Sequence, residues 1–311
     1  MELRTILGET LDQLMAEDPR IVVIDADLAK ANGTLFLRDK YPDRAFDVGI
    51  AEQNMASIAA GLATHGFIPF ITTFAPFASR RMCDQIAISI AYANQPVKII
   101  GSDPGIMSEL NGGTHMGLED IGVLRSIPSL TIFEPCDGVQ LKQALPQIVR
   151  HDGPVYLRLH RKSTPDLHKD PDYQFDLFRA EVLRAGRHVT IAAMGALMMN
   201  EALMASEILR EQNIEAEIID LHTIKPIDVD TLITSARKTG LVVTAENHST
   251  IGGLASAVSE VLSRKYPVPI GSVGIQDRRG VVGRLDELKT VFGMTAEDIV
   301  NKVHELIKKW R

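Results

Sequence analysis

Only two cysteines occur in the 311 residues, Cys83 and Cys136, and neither belongs to a CxxC pair. HExxH is also missing, so the sequence offers no protein-only metal site. Two separate thiols in apolar surroundings suit a reducing cytoplasm, where cysteine acts as a small core hydrophobe. No run of about 18 uncharged apolar residues exists, which excludes a membrane-spanning helix. Residues 1–16 carry acids and lack an apolar stretch, so they are not expected to be a secretion signal. Thirty-three Lys and Arg stand against 40 Asp and Glu, a net charge of −7, so nucleic acid is not an expected partner. Gly-x-Gly-x-x-Gly, the P-loop pattern and the Gly-Asp-Gly with a downstream Asn of a magnesium–diphosphate site are all missing. Aromatic residues make up only 5% of the chain.

What is present is ordinary in amount: 45% hydrophobic and 23% charged residues. At roughly 100–200 residues per domain the length suits two domains. β-Branched runs at 21–26, 45–48, 67–73, 97–101, 130–134 and 155–159 alternate with 3.6-period segments at 4–16, 52–65, 77–92, 118–126 and 137–150. That alternation predicts βαβ units around a parallel sheet. Residues 161–187 are polar, hold two prolines and show no sustained period, as a surface connection between domains would. A second series follows, with strands at 188–194, 215–221, 241–246 and 269–275 and helices at 197–213, 228–238, 253–264 and 295–310. Thr295 and Asp298 suit the start of the last helix. The expected fold is α/β in two domains, 1–165 and 188–311, joined by a linker at 166–187.

Open α/β sheets bind ligands at the carboxyl ends of their strands, and three loops there carry candidate chemistry. Asp47-Val48-Gly49-Ile50-Ala51-Glu52-Gln53-Asn54 leads into a helix whose Met55, Ile58, Ala59 and Leu62 are apolar. Glu52 is either a first-turn acid supporting the helix or a buried carboxyl able to act as a general acid near neutrality. Phe74 and Phe77 are either core packing or a platform for a flat ligand. The long segment 102–117 holds Gly-Gly-Thr-His, whose His115 can donate and accept near neutral pH unless it is simply solvated. Gly252-Gly253 at a helix start either binds an anion or makes a tight turn.

These loops, in order and with further runs, resemble the C-terminal half of a transketolase over essentially the whole chain. The matching runs are Asp27-Leu28, Gly49-Ile50-Ala51-Glu52-Gln53-Asn54-Met55, Thr73-Phe74-Ala75-Pro76-Phe77, Gly113-Thr114-His115, Pro135-Cys136-Asp137, Pro154-Val155 with Arg161, and Ile224-Lys225-Pro226-Ile227-Asp228. Glu246-Asn247-His248 followed by Gly252-Gly253-Leu254 completes them.

The resemblance implies thiamine diphosphate chemistry. Glu52 would hydrogen-bond N1′ of the cofactor's aminopyrimidine, Phe74 and Phe77 would enclose that ring with Phe77 stacking on it, and Asp27 would lie near the cofactor and donor. His115 would contact substrate hydroxyls and the carbonyl, making Glu52 and His115 the catalytic pair. Arg4 and Arg161 would bind a sugar phosphate through bidentate geometry. Three positions depart from the family pattern: Ser102 stands where many members have His, Asn111 where they have Asp, and Ala31 where they have Ser. Ser102 and Asn111 nevertheless remain expected substrate contacts.

The implied reaction moves a two-carbon ketol unit from a ketose phosphate to an aldose, as in pentose phosphate metabolism. The implied partner is a separate N-terminal-section subunit carrying Mg²⁺ (or Ca²⁺) and the diphosphate contacts, in an α2β2 assembly with a homodimer of this chain. The second domain, with His248 and Arg279, would serve interfaces. A β subunit of a 2-oxoacid dehydrogenase decarboxylase shares the domains and the Glu, but the Phe-Ala-Pro-Phe and Gly-Gly-Thr-His loops are closer to transketolase. A 1-deoxyxylulose-5-phosphate synthase is ordinarily one long chain, and a non-catalytic assembly subunit has no use for Glu52, Phe77 and His115.

Overall fold

The structure, a computed structural model, describes residues 1–310. The first half runs α1 (Leu3–Glu17), β1 (Ile21–Asp25), α2 (Ala29–Asn32), α3 (Leu35–Lys40), β2 (Ala45–Asp47), α4 (Glu52–Thr64), β3 (Ile68–Phe74), α5 (Cys83–Gln85), β4 (Lys98–Ser102), α6 (Asp120–Leu124), β5 (Thr131–Phe133), α7 (Gly138–Arg150) and β6 (Val155–Leu159). The second half runs β7 (Glu181–Arg184), β8 (Val189–Ala193), α8 (Gly195–Glu211), β9 (Ala216–Asp220), β10 (Thr223–Lys225), α9 (Val229–Thr239), β11 (Val242–Ser249), α10 (Leu254–Lys265), β12 (Ile270–Ile275), α11 (Leu285–Phe292) and α12 (Ala296–Trp310).

Two sheets result, ordered β10-β5-β6-β4-β3-β1-β2 and β12-β11-β8-β9-β7. All neighbours are parallel except β10 against β5 and β7 against β9. The central strands β1, β4, β6, β8 and β9 are buried along their whole length, which is why they read as continuous β-branched runs.

The predicted unbroken helix 77–92 is instead a π-helical turn at Phe77–Arg81, the short α5, and a second π-helical stretch at Ile86–Tyr92. Ala78, Met82, Ile86 and Ile90 are all fully buried, a four-residue repeat. The same spacing occurs in the regular helix α1, at Leu3, Leu7, Leu11 and Met15, so it marks a buried face and not the type of turn. The polar connection 161–187 also contains a strand, β7, whose mostly half-exposed residues leave no hydrophobic signal. β10 is a further departure: three residues from the second half cross over to edge the first sheet. Lys225 Nζ anchors it on the carbonyls of Arg125, at 2.8 Å, and Ile127.

The halves meet across a buried polar seam. Asn247 accepts from the Ile106 N–H at 3.0 Å and donates to the Pro104 carbonyl at 2.9 Å. His248, wholly buried, accepts from the Gly122 N–H at 3.2 Å and donates to the Ser249 carbonyl, so its interface lies within the chain. The helix start after Gly252-Gly253 is taken by the protein's own carboxyl group: Glu246 accepts from the N–H groups of Leu254 and Ala255. Thr295 and Asp298 form the expected reciprocal cap ahead of α12.

Candidate active site

Glu52 is the first residue of α4 and is 4% exposed. Gly49, at φ +74°, turns the chain into that helix, a conformation glycine adopts without steric cost. Its N–H donates to Asp47 Oδ1 at 2.6 Å. The surroundings of Glu52 are not wholly apolar, because Arg81 Nη1 donates to its Oε1 at 2.7 Å. The Arg81 guanidinium also lies 3.7 Å from the centre of the Phe77 ring.

From Phe77 the contacts continue. The His115 ring stands edge-on to Phe77 at 5.3 Å and to Phe74 at 6.1 Å, and the two phenylalanines are 6.0 Å apart. His115 is held at the end of its loop: its N–H donates to the Gly112 carbonyl at 3.0 Å, and its carbonyl accepts from Ser108 Oγ. Arg161 lies over Phe74 at 4.8 Å, with Nε donating to buried Asp103 at 2.6 Å. Arg161 and Arg4 both reach the Ala31 carbonyl, at 3.4 Å each, and Arg4 Nε donates to Glu2 at 2.7 Å. Glu52, Phe77, His115, Phe74, Arg161 and Arg4 are thus linked in one line, with Arg81 joining Glu52 to Phe77 and the Ala31 carbonyl joining the two arginines.

Three other candidates lie off that line. Ser102, at the end of β4, is fully buried, and its hydroxyl donates to Asn32 Oδ1 at 2.7 Å. Asn32 in turn donates to Thr72 Oγ1 at 3.0 Å, and the chain ends at Asp25, whose pKa burial lifts to about 6. Ser102 therefore braces the turn that presents Ala31 instead of facing the cleft. Asn111 is exposed at the end of the 3₁₀ segment Gly105–Asn111. Asp27 is exposed at φ +60°, with its N–H donating to Asp47 at 2.9 Å. Residues the sequence reasoning missed are Arg81, Asp103, Glu2 and Asn32. Only Arg81 carries a local signal, four positions after Phe77.

A buried carboxylate at a helix start, with one oxygen unpartnered among the described residues and aromatic rings beside it, fits a flat nitrogen heterocycle. The one converging set of metal-type side chains among the described residues is Cys136, Asp137 and His168. It is occupied otherwise: Asp137 caps α7 and accepts from His168 Nδ1 at 2.8 Å.

The family model of the transketolase pyrimidine-binding domain matches residues 1–166, and that of the transketolase C-terminal domain matches 179–299. The chain belongs to the transketolase family. Membership implies a thiamine diphosphate-dependent transferase, and the Glu52 corner fits the cofactor's heterocycle. Among relatives, the chain is 50% identical over 307 residues to the 6-deoxy-6-sulfo-D-fructose transketolase subunit SqwH of Clostridium sp. (strain MSTE9), covering 99% of this chain and 95% of that one. It is 36% identical to one of the subunits of the apulose-4-phosphate transketolase of Phocaeicola vulgatus, over 98% and 97% of the two chains. A solved split-gene transketolase, described as an inactive β4 tetramer, superposes with a TM-score of 0.89 at 41% identity over 100% and 99%. The transketolase of Campylobacter jejuni shares the fold, with a TM-score of 0.81 at 22% identity, and this chain spans 46% of it.

Proposed function

We propose that this chain is the pyrimidine-binding half of a split transketolase, moving a two-carbon ketol unit from an anionic ketose to an aldose. The observation that carries the proposal is the continuous line from Glu52 through the aromatic cluster to two arginines. Thiamine diphosphate, when bound, supplies the electron sink for the two-carbon carbanion. Glu52 would hold the ring nitrogen through its free oxygen, and Phe74 and Phe77 would stand beside the ring. His115 donates to or accepts from the substrate's oxygens. Arg161 and Arg4 hold its anionic end. Asp27 and Asn111 complete the rim of the cleft. The diphosphate contacts and Mg²⁺ (or Ca²⁺) come from a partner subunit, in an α2β2 cytoplasmic assembly.

A second reading concerns the donor's anionic end. Arg4 is paired with Glu2 and Arg161 with Asp103, so this corner carries no net formal charge, and the Ala31 carbonyl also faces both arginines. A singly charged sulfonate suits such a corner better than a phosphate dianion, and the SqwH relative is named for a sulfonated ketose.

Reconstitution tests both readings. With its partner, the chain should transfer ketol units and alone it should not. Glu52→Gln should lower the rate roughly 10²–10⁴-fold. Activity of the chain alone, or full activity of the variant, would overturn the proposal. Preference for a phosphate-ended over a sulfonate-ended ketose would remove the second reading and leave the first.

A further inference from the structure

The Arg81 side chain has no part in the proposed reaction, yet it touches two of its residues. Its Nη1 donates to Glu52 Oε1 at 2.7 Å, while its guanidinium covers the Phe77 ring at 3.7 Å. Glu52 Oε2 accepts no hydrogen bond from the described residues. The arginine therefore takes one oxygen of a buried carboxylate and leaves the other free. A carboxylate held by one charge-assisted bond cannot rotate to exchange its oxygens without breaking that bond, so its free lone pairs keep one direction. The same guanidinium rests on the ring, so carboxylate and aromatic plane are fixed relative to each other by a single group.

The backbone explains how one side chain reaches both. Phe77 and Arg81 are the first and last residues of the π-helical turn, a geometry that inserts a residue into the helix and is frequent at functional sites. Glu52 comes from another element, 29 positions earlier, at the start of α4. Arg81 is about half exposed, so its placement over Phe77 is not forced by core packing. The neighbouring Arg80 turns instead to Glu119, at 3.0 Å.

We infer that Arg81 is the positioning residue of Glu52, pinning one carboxylate oxygen so that the other meets the ring nitrogen of a planar heterocycle seated beside Phe77. This rests on the proposed thiamine diphosphate reading and adds to it a residue that acts through Glu52. Substituting Arg81 frees the carboxylate to turn and separates it from the ring. The loss appears in cofactor binding before any catalysis.

The test is isothermal titration of thiamine diphosphate, with Mg²⁺ present, into the complex of this chain with its diphosphate-domain partner. Arg81→Met should weaken binding by roughly tenfold or more, the size of a hydrogen bond to a charged group. Arg81→Lys should recover part of it, and gel filtration should show both variants assembled as wild type. In a Glu52→Gln background, Arg81→Met should change affinity by less than about twofold, because the group it positions is already altered. Unchanged affinity, or an equal loss in the Glu52→Gln background, overturns the inference. Tighter binding by Arg81→Met also overturns it, and shows the guanidinium to be an occupant of the ring's place. A wild-type complex that takes up no thiamine diphosphate overturns the underlying reading instead.

Discussion

Replacing Arg158 by methionine tests how the two halves are held together. Arg158, on β6, is wholly buried. Its Nε donates to Asp120 Oδ2 at 2.8 Å, and its Nη2 to Asp120 Oδ1 and the Asn247 carbonyl at 3.1 Å each. Nη1 donates to Glu134. Methionine supplies none of these donors, so two buried carboxylates and a carbonyl of the second sheet lose their partner together. Asp120 keeps only the Tyr156 hydroxyl among close donors, at 2.7 Å. Burial opposes its charge most strongly, and Arg158, His248 and the Tyr156 hydroxyl together outweigh burial and hold its pKa below the ordinary value. Glu134 has an easier escape: burial already lifts its pKa to about 7 against the pull of Arg158, so without the arginine it takes up a proton.

Removing one partner of a buried ion pair costs about 3–5 kcal/mol, a large share of a typical stability of about 5–15 kcal/mol. At roughly 2–4 °C per kcal/mol for a chain of this class, the melting temperature should fall by about 6–20 °C. Scanning calorimetry and urea unfolding followed by circular dichroism measure this directly. Adding Glu134→Gln should restore part of the loss, and more above pH 7 than below it, because the unpaired Glu134 must otherwise be protonated against the solvent. A loss under about 1 kcal/mol, or strict additivity of the two substitutions, would refute the account of the seam as a coupled ionic cluster.

Three further outcomes are expected. Burial opposes the charge on His168, but its bonds to Asp137 and Glu181 prevail and raise its pKa from 6.5 to about 9; its stabilisation is full below pH 6.5 and lost as pH rises through 9. The stability gap between wild type and His168→Gln should close over that window, and a gap that stays constant contradicts it. Glu246 has its pKa raised by burial from 4.5 to about 8, so between those values it is neutral when folded and ionised when unfolded. Wild type should lose stability relative to Glu246→Gln as pH rises through that range, and movement the other way would falsify the assignment. Gly105 sits at φ +60°, and a Cβ there would fall on the Asn247 carboxamide. Gly105→Ala should cost about 1–3 kcal/mol and speed hydrogen exchange in 105–117; an unchanged urea midpoint speaks against it.

Adjacent residues at one strand end show what sequence reasoning can reach. The β-branched run at 97–101 marks a strand, and the α/β rule makes the polar residues after it candidates for the cleft. Ser102 and Asp103 are both polar and both buried, but Ser102 turns to Asn32, 70 positions earlier, while Asp103 holds Arg161, 58 positions later. Nothing local to the strand distinguishes these fates, because each is decided by a hydrogen-bond partner from a distant element. Glu52 was legible for the opposite reason: a first-turn acid followed by an apolar helix face is a local pattern, and burial follows from it. Arg81 falls between the two cases. Its position four residues after Phe77 is a local signal that puts both on one side of a helical turn, and the structure adds the π turn and the bond to Glu52, 29 positions earlier. The buried repeat of Ala78, Met82, Ile86 and Ile90 does not announce that turn, because Leu3, Leu7, Leu11 and Met15 repeat at the same spacing, equally buried, in the regular helix α1. The spacing thus marks a buried helical face after β3 without distinguishing α from π turns, while Glu52, the group that holds Arg81, comes from another element.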